Sequence, residues 1–363
     1  MNKNTRDALL GMKTLPEQGG GWGLLLKTGG EISDLAPASV RSIQTINDSF
    51  LVFAPGQEAS GRGFSFVMGL IIGMVGLSMI LADVVLGGVL LRNDFWPHLA
   101  GAYGILLFIS AAFIAWSVRS VVRPLSPSVI LSRRLRRFYC WLGPKVGWRT
   151  LEYDAVQPVS MVARSYSLAG SATGHVLAIV DLESTDRRIR SYVPLAQPHR
   201  DICVPEMIWE FIRGYMSDDP SNLPEVDPLP PLGDKRADFV VLDRRLYGNL
   251  VDDQHRIKPG VFPMVYVGIV GSFMYWFEKA GLWISRKAPR PELPAEIRAE
   301  MDTTPLENSF KVRKLTEAER LAYSGRLNYL NRRWLLLASI CTVIVLMMFA
   351  VPGLPPWFSE LNN

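Results

Sequence analysis

The side chains able to do chemistry are few in this sequence, and none form a recognisable reaction centre. His199 and Cys203 stand four apart and could offer two ligands to one metal ion, but no second pair with suitable spacing completes a site. His98, His175 and His255 are scattered. The chain holds no GxSxG, HExxH, CxxC or P-loop pattern. The glycine run at 19–23 lacks the strand-to-helix setting of a dinucleotide loop and reads as a turn. These observations point to a chain without catalytic residues, cofactor or metal, hence to a binding protein rather than an enzyme. The densest charged run is SRRLRRFY at 132–139. Arg133, Arg134, Arg136 and Arg137, followed by Phe138 and Tyr139, are candidate binding residues for anionic head groups or a protein partner, and they also fit a solvated strand face. A sequence pI near 9.1 is too modest for a nucleic-acid partner to be expected.

The elements carrying these residues begin with three apolar runs, at 64–91, 99–118 and 334–351. Each reaches the roughly 18–20 residues that cross a bilayer as a helix. The first two form a transmembrane hairpin (64–118), and the third gives a C-terminal transmembrane helix (334–352). Asp83 is the one ionisable residue in the first run. A carboxylate at a helix centre costs about 2.5–3.5 kcal/mol on insertion scales, so Asp83 marks an ion or partner site, or sits near the outer end facing water. Gly69, Gly73 and Gly76 line one face of that helix, for packing within the hairpin or for homo-oligomer contacts.

Arginines crowd the chain after the second run (119, 123, 133, 134, 136, 137) and before the third (326, 332, 333), and no Lys or Arg follows 351. The positive-inside rule therefore predicts a cytoplasmic N-terminus, a cytoplasmic middle and a periplasmic C-terminus in an inner membrane. A fourth apolar stretch, 261–277, has basic flanks and marginal length. It reads as an interfacial, re-entrant or core segment, with Trp276 as a candidate contact residue.

Outside the membrane, short apolar runs at 24–26 and 50–53 predict strands in an N-terminal cytoplasmic segment (1–63) that packs on the middle region. Strands are expected at 129–131, 135–141, 146–153, 175–182 and 188–193, with a polar turn at 183–186. Ile208, Phe211, Ile212 and Tyr215 recur at helical spacing after Pro205, so a helix closes this β-rich domain (119–220). A Pro-rich linker opens 221–333, and a capping box at Thr316 and Glu319 starts a helix running into the last span. The fold class is thus an α+β membrane protein.

The 363 residues are 48% hydrophobic with a net charge of +5, which excludes a disordered chain or a small disulfide scaffold. Three dispersed cysteines fit a reducing compartment.

The basic–aromatic strand VILSRRLRRFY (129–139) and the helix WEFIRGYM (209–216), behind a transmembrane hairpin, resemble a family of bacterial inner-membrane proteins found beside type VI secretion effectors, commonly lipases. That resemblance implies an immunity or accessory protein whose partner is a secreted effector. A hairpin followed by strands is also similar to membrane-anchored pleckstrin-homology-like domains.

Overall fold

The computed structural model describes residues 23–27, 33–54, 58–85, 96–167, 170–182, 189–217, 223–230, 233–303 and 310–350. The expected turns at 19–22, 28–30 and 183–186, the hairpin tip at 92–95 and the tail after 350 lie outside them, as do the side chain of Asp83 and most of the glycine run. The strands are β1 (Gly23–Leu25), β2 (Ile43–Ile46), β3 (Phe50–Phe53), β4 (Ile130–Ser132), β5 (Arg137–Trp141), β6 (Trp148–Glu152), β7 (Gln157–Ser167), β8 (Gly170–Leu182) and β9 (Ile189–Pro194). The helices are α1 (Glu58–Val85), α2 (Trp96–Val122), α3 (Val204–Met216), α4 (Asp238–Leu246), α5 (Val261–Lys287), α6 (Ala295–Thr303), α7 (Glu317–Tyr323) and α8 (Asn328–Ala350). The chain divides into two compact units. A sheet unit comprises Met1–Gln57, Ser126–Leu229 and Arg290–Lys314, and a helical unit comprises Glu58–Leu125, Pro230–Pro289 and Leu315–Asn363.

The sheet unit holds two antiparallel sheets, in the orders β2-β3-β4-β5-β6 and β1-β7-β8-β9. The Asn47 side chain turns β2 into β3, its Oδ1 accepting from the backbone N–H of Ser49 (3.0 Å) and Phe50 (2.7 Å). Alternation along the five-stranded sheet sends its side chains to two cores. Leu51, Phe53, Leu131, Phe138, Cys140 and Leu151 join Leu177, Ile179 and Val193 of the other sheet and the apolar face of α3. Phe50, Ile130 and Tyr139 point the other way, onto Ile297 of α6. Ile208, Phe211, Ile212 and Tyr215 of α3 are fully buried, and each contributes about 1.5–3 kcal/mol of burial.

The segment read as linker therefore belongs partly to this unit. Glu300 of α6 accepts from the Ser132 hydroxyl (2.8 Å), Glu296 from the Tyr139 hydroxyl (3.1 Å), and the Glu292 carbonyl from the Trp148 indole (2.6 Å). Val226, within the proline-rich stretch, forms a parallel bridge with Val312 and is buried.

Burial raises the Cys140 thiol to about 12, whereas Cys203 is half-exposed, its thiol raised by desolvation first and then by Asp201. At pH 8 a maleimide is expected to modify Cys203 slowly and to reach Cys140 only in denaturant, as intact-mass spectrometry would read. Equal modification of both thiols in the folded protein would contradict the burial of β5.

In the helical unit, α1 and α2 form the expected hairpin. A Cβ on Gly73 would lie 3.0 Å from the Ser110 carbonyl, and one on Gly69 or Gly76 would run into the hydroxyls of Ser117 and Ser110. The glycine face of α1 is thus occupied by α2. Four described helices, where the sequence reading counts three, are long and apolar enough to cross a membrane: α1, α2, α5 and α8. The protein is a membrane protein of α+β class. The added helix is α5, which continues past Phe277 to Lys287. It can do so because the charges there are neutralised inside the unit: Glu278 by Arg245 (3.4 Å), and Lys279 and Arg286 by Asp238 (both 2.6 Å). A second correction concerns the last span. The Thr316–Glu319 capping box forms, but the helix stops at Tyr323 and α8 starts afresh at Asn328. Gly325 breaks the run with a left-handed φ of 70°, and its carbonyl accepts from the Asn331 amide (2.7 Å).

Candidate functional site

The basic run folds as the β4–β5 hairpin turn. Ser132 pairs with Arg137, and Arg133-Arg134-Leu135-Arg136 makes the loop. The Ser132 hydroxyl accepts from the Leu135 N–H (3.1 Å) while donating to Glu300, which fixes the turn from beneath. Arg136 closes the loop at a positive φ of 52°, a conformation seen for few residues other than glycine. Its guanidinium is thereby held 5.1 Å over the Tyr153 ring and bonded twice to Asp154 (2.8 and 2.6 Å). The Arg136 pairing holds the Asp154 carboxyl below its usual range.

Tyr153 stacks in turn on Trp209 of α3, with ring centroids 5.9 Å apart. The Trp209 indole donates to the Lys27 carbonyl (3.1 Å). Between the hairpin turn and α3 opens a groove of about 510 Å³, lined by Arg136, Tyr153, Asp154, Val156, Gln157, Trp209, Arg213, Met216 and Ser217. Burial raises the Tyr153 phenol to about 12, so it is neutral at pH 7. Arg213 lies against Glu210 at 2.9 Å. The groove is lined by two guanidinium groups, a carboxylate, an aromatic wall and a methionine.

The other residues singled out by sequence have different settings. Arg133 donates to the Ser217 carbonyl (2.7 Å) and faces the Tyr215 ring. Arg134 pairs with Glu300 (3.3 Å) and Arg137 with Glu152 (2.8 Å). Phe138 and Tyr139 must be withdrawn from the exposed contact surface. They are 0% and 1% exposed, because both faces of the sheet are covered. Trp276 belongs to the helical unit, where it is partly exposed and its indole donates to Thr342 Oγ1 (3.1 Å). Sequence reasoning missed Tyr153, Asp154, Trp209 and Arg213 as a group. The one available signal was that 136 and 153 lie at the outer ends of two strands predicted to be consecutive (135–141 and 146–153), which brings them together across a hairpin.

His199 and His175 meet only as backbone partners (2.6 and 2.9 Å). No group of three or more metal-ligating side chains occurs among the described residues. His255 does gain a carboxylate, Asp243, at 3.0 Å from Nδ1. That pair is buried with Arg333 and Trp334 in the helical unit and closed to solvent, which suits a structural clamp. No family model, curated protein or solved structure matches this chain.

Proposed function

We propose that this chain is a non-enzymatic, membrane-anchored binding protein whose sheet unit grips a segment of a partner protein in the groove between the β4–β5 turn and α3. The observation that carries the reading is the stack Arg136–Tyr153–Trp209, flanked by Asp154 and Arg213 and open to solvent. Head-group binding by the arginine run is the second reading, in which Arg134, Arg136 and Arg137 exchange their present carboxylate partners for lipid phosphates. The two sheets closed by one helix suit a pleckstrin-homology-like binding module, an analogy of fold alone. The basic flanks favour the inner-membrane orientation with the sheet unit cytoplasmic and the C-terminus periplasmic. The partner class implied by the type VI resemblance is a secreted effector, for which this protein would act as an immunity or accessory protein.

The test is a pull-down from native membranes through an N-terminal tag, identified by mass spectrometry, on the wild type and on Arg136→Glu and Arg213→Glu. The wild type should retain one protein at near-equal amounts. Each variant should weaken its binding by about 2 kcal/mol, roughly thirtyfold in Kd, as truncation of an interface anchor does. The Arg136–Asp154 pair is solvent-exposed on both sides, so Arg136→Glu should shift thermal stability by under about 1 kcal/mol. Undiminished capture by both variants would place the contact elsewhere. Recovery of anionic lipid alone would replace the partner reading with a scaffold.

A further inference from the structure

A second groove lies wholly within the helical unit, between α1, α5 and α8. Val67, Leu70 and Met74 line it from one face of α1, at i, i+3 and i+7. Thr342 and Leu346, four apart on α8, line the facing wall, and Trp276 of α5 completes the lining. Together they bound about 290 Å³. Gly69, Gly73 and Gly76 point away from it, because their face of α1 is occupied by α2. Met74, Trp276 and Leu346 are exposed, so the groove opens outward on three helices that are each long and apolar enough to span a membrane.

Its chemistry narrows what can fill it. The two polar side chains in the lining spend their hydrogens within the unit: the Trp276 indole donates to Thr342 Oγ1 (3.1 Å), and the Thr342 hydroxyl donates to the Ala338 carbonyl (2.8 Å). Every other lining side chain is Val, Leu, Ile or Met. Water finds too few polar partners in such a space. A second helix fits it poorly as well. Close helix approach in a membrane uses glycine, alanine or serine, and the lining holds none. A helix about 10 Å across also fills roughly 420 Å³ in each 5.4 Å turn, more than the groove contains. An alkyl chain is thin, asks for no hydrogen bond and is supplied by the surrounding bilayer. An apolar cavity of about 150 Å³ takes a benzene ring, so this groove holds a chain segment on the order of ten carbons.

We infer that the groove between α1, α5 and α8 binds one fatty-acyl chain of a membrane phospholipid, held against Met74 and Trp276. This rests on the chain being a membrane protein and is independent of which partner the sheet unit binds.

The test uses full-length protein grown with photo-methionine and reconstituted in phosphatidylethanolamine–phosphatidylglycerol liposomes. Ultraviolet light inserts the diazirine of each methionine into whatever touches it, and peptide mass spectrometry reads the adducts. Met74 and Met79 lie on the same helix at almost equal exposure, 49% and 48%, but Met79 is outside the groove. A retained chain gives phospholipid adducts at Met74 about tenfold above those at Met79, the ratio that 1.4 kcal/mol of preferential contact produces. Equal yields at the two positions would show passing bilayer contact alone and would overturn the inference. A peptide adduct at Met74, from a second copy or another chain, would overturn it by naming a different occupant. Val67→Phe with Leu70→Phe narrows the groove and should bring Met74 down to the Met79 level, with Met79 labelling unchanged as the sign that insertion is intact. An undiminished Met74 excess in that variant would also overturn the inference. The wild-type comparison decides the question by itself if the variant does not insert.

Discussion

Asp243→Ala should cost the helical unit about 3–5 kcal/mol, the range found when one member of a buried ion pair is removed. Asp243 is fully buried at the junction of α4, the 251–257 turn and α8. Its carboxylate accepts from His255 Nδ1 (3.0 Å), from the Trp334 indole (2.9 Å) and from Arg333 Nη2. Arg333 also donates through Nη1 to the His255 carbonyl (3.0 Å), and His255 is held at a left-handed φ of 61°. Without the carboxylate, a guanidinium stays nearly buried with no counter-charge, an indole N–H loses its acceptor, and the buried His255 ring loses its partner. Thermal unfolding in detergent would read the loss. Adding Arg333→Met should recover part of it, because the double variant no longer buries an unpaired charge. A single variant within about 0.5 kcal/mol of wild type, as at ordinary surface sites, would show that the clamp is not formed.

Gly63→Ala should also destabilise strongly, against the direction that helix propensity gives. Alanine in a helix interior is worth roughly 0.5–1 kcal/mol over glycine. At Gly63, however, the new Cβ would run into the Gly281 nitrogen and the Phe277 carbonyl of α5. Gly281 faces the same contact from the other side, where a Cβ would lie 2.8 Å from the Ala59 carbonyl. These are backbone atoms and cannot rotate away, so the helices must separate. Overpacking of this kind costs about 1–3 kcal/mol, and the upper end applies here. Gly101→Ala is the matched control, since nothing lies within 4 Å of a Cβ there, and it should be neutral or mildly stabilising. A thermal shift of the same sign and size for both substitutions would rule out the close approach of α1 and α5.

The parts of this fold legible in the sequence are those where one local signal suffices. The apolar face of α3, the runs of α1, α2 and α8, and the Thr316–Glu319 box each announce themselves within a turn or two. The β7 strand does not: QPVSMVARSYS mixes proline, serine and arginine without alternation, and its pairing with eleven residues of β8 decides its state. Helix α6 (AEIRAEMDT) is hidden for a related reason. It docks through one buried isoleucine and through Glu296 and Glu300 rather than through an apolar stripe. Because α6 covers the second face of the sheet, the alternation of Phe138 and Tyr139 no longer separates inside from outside. The groove was half legible. Its arginines stood out as a run, whereas its aromatic wall depends on α3 and on the residues after β6 meeting in space.

Strand β3 ends at Phe53 and its sheet neighbour β4 begins at Ile130, so their pairing closes over the whole α1–α2 hairpin. A free loop of roughly 75 residues would cost on the order of 4 kcal/mol to close. A hairpin seated in the bilayer brings its two ends together beforehand and removes most of that cost. Synthesis order then matters: the N-terminal strands wait for membrane insertion, and the sheet stays uncovered on one face until α6 has left the ribosome, at about 5–20 residues per second. The β3–β4 pairing is thus completed only by a chain whose α1–α2 hairpin has already formed.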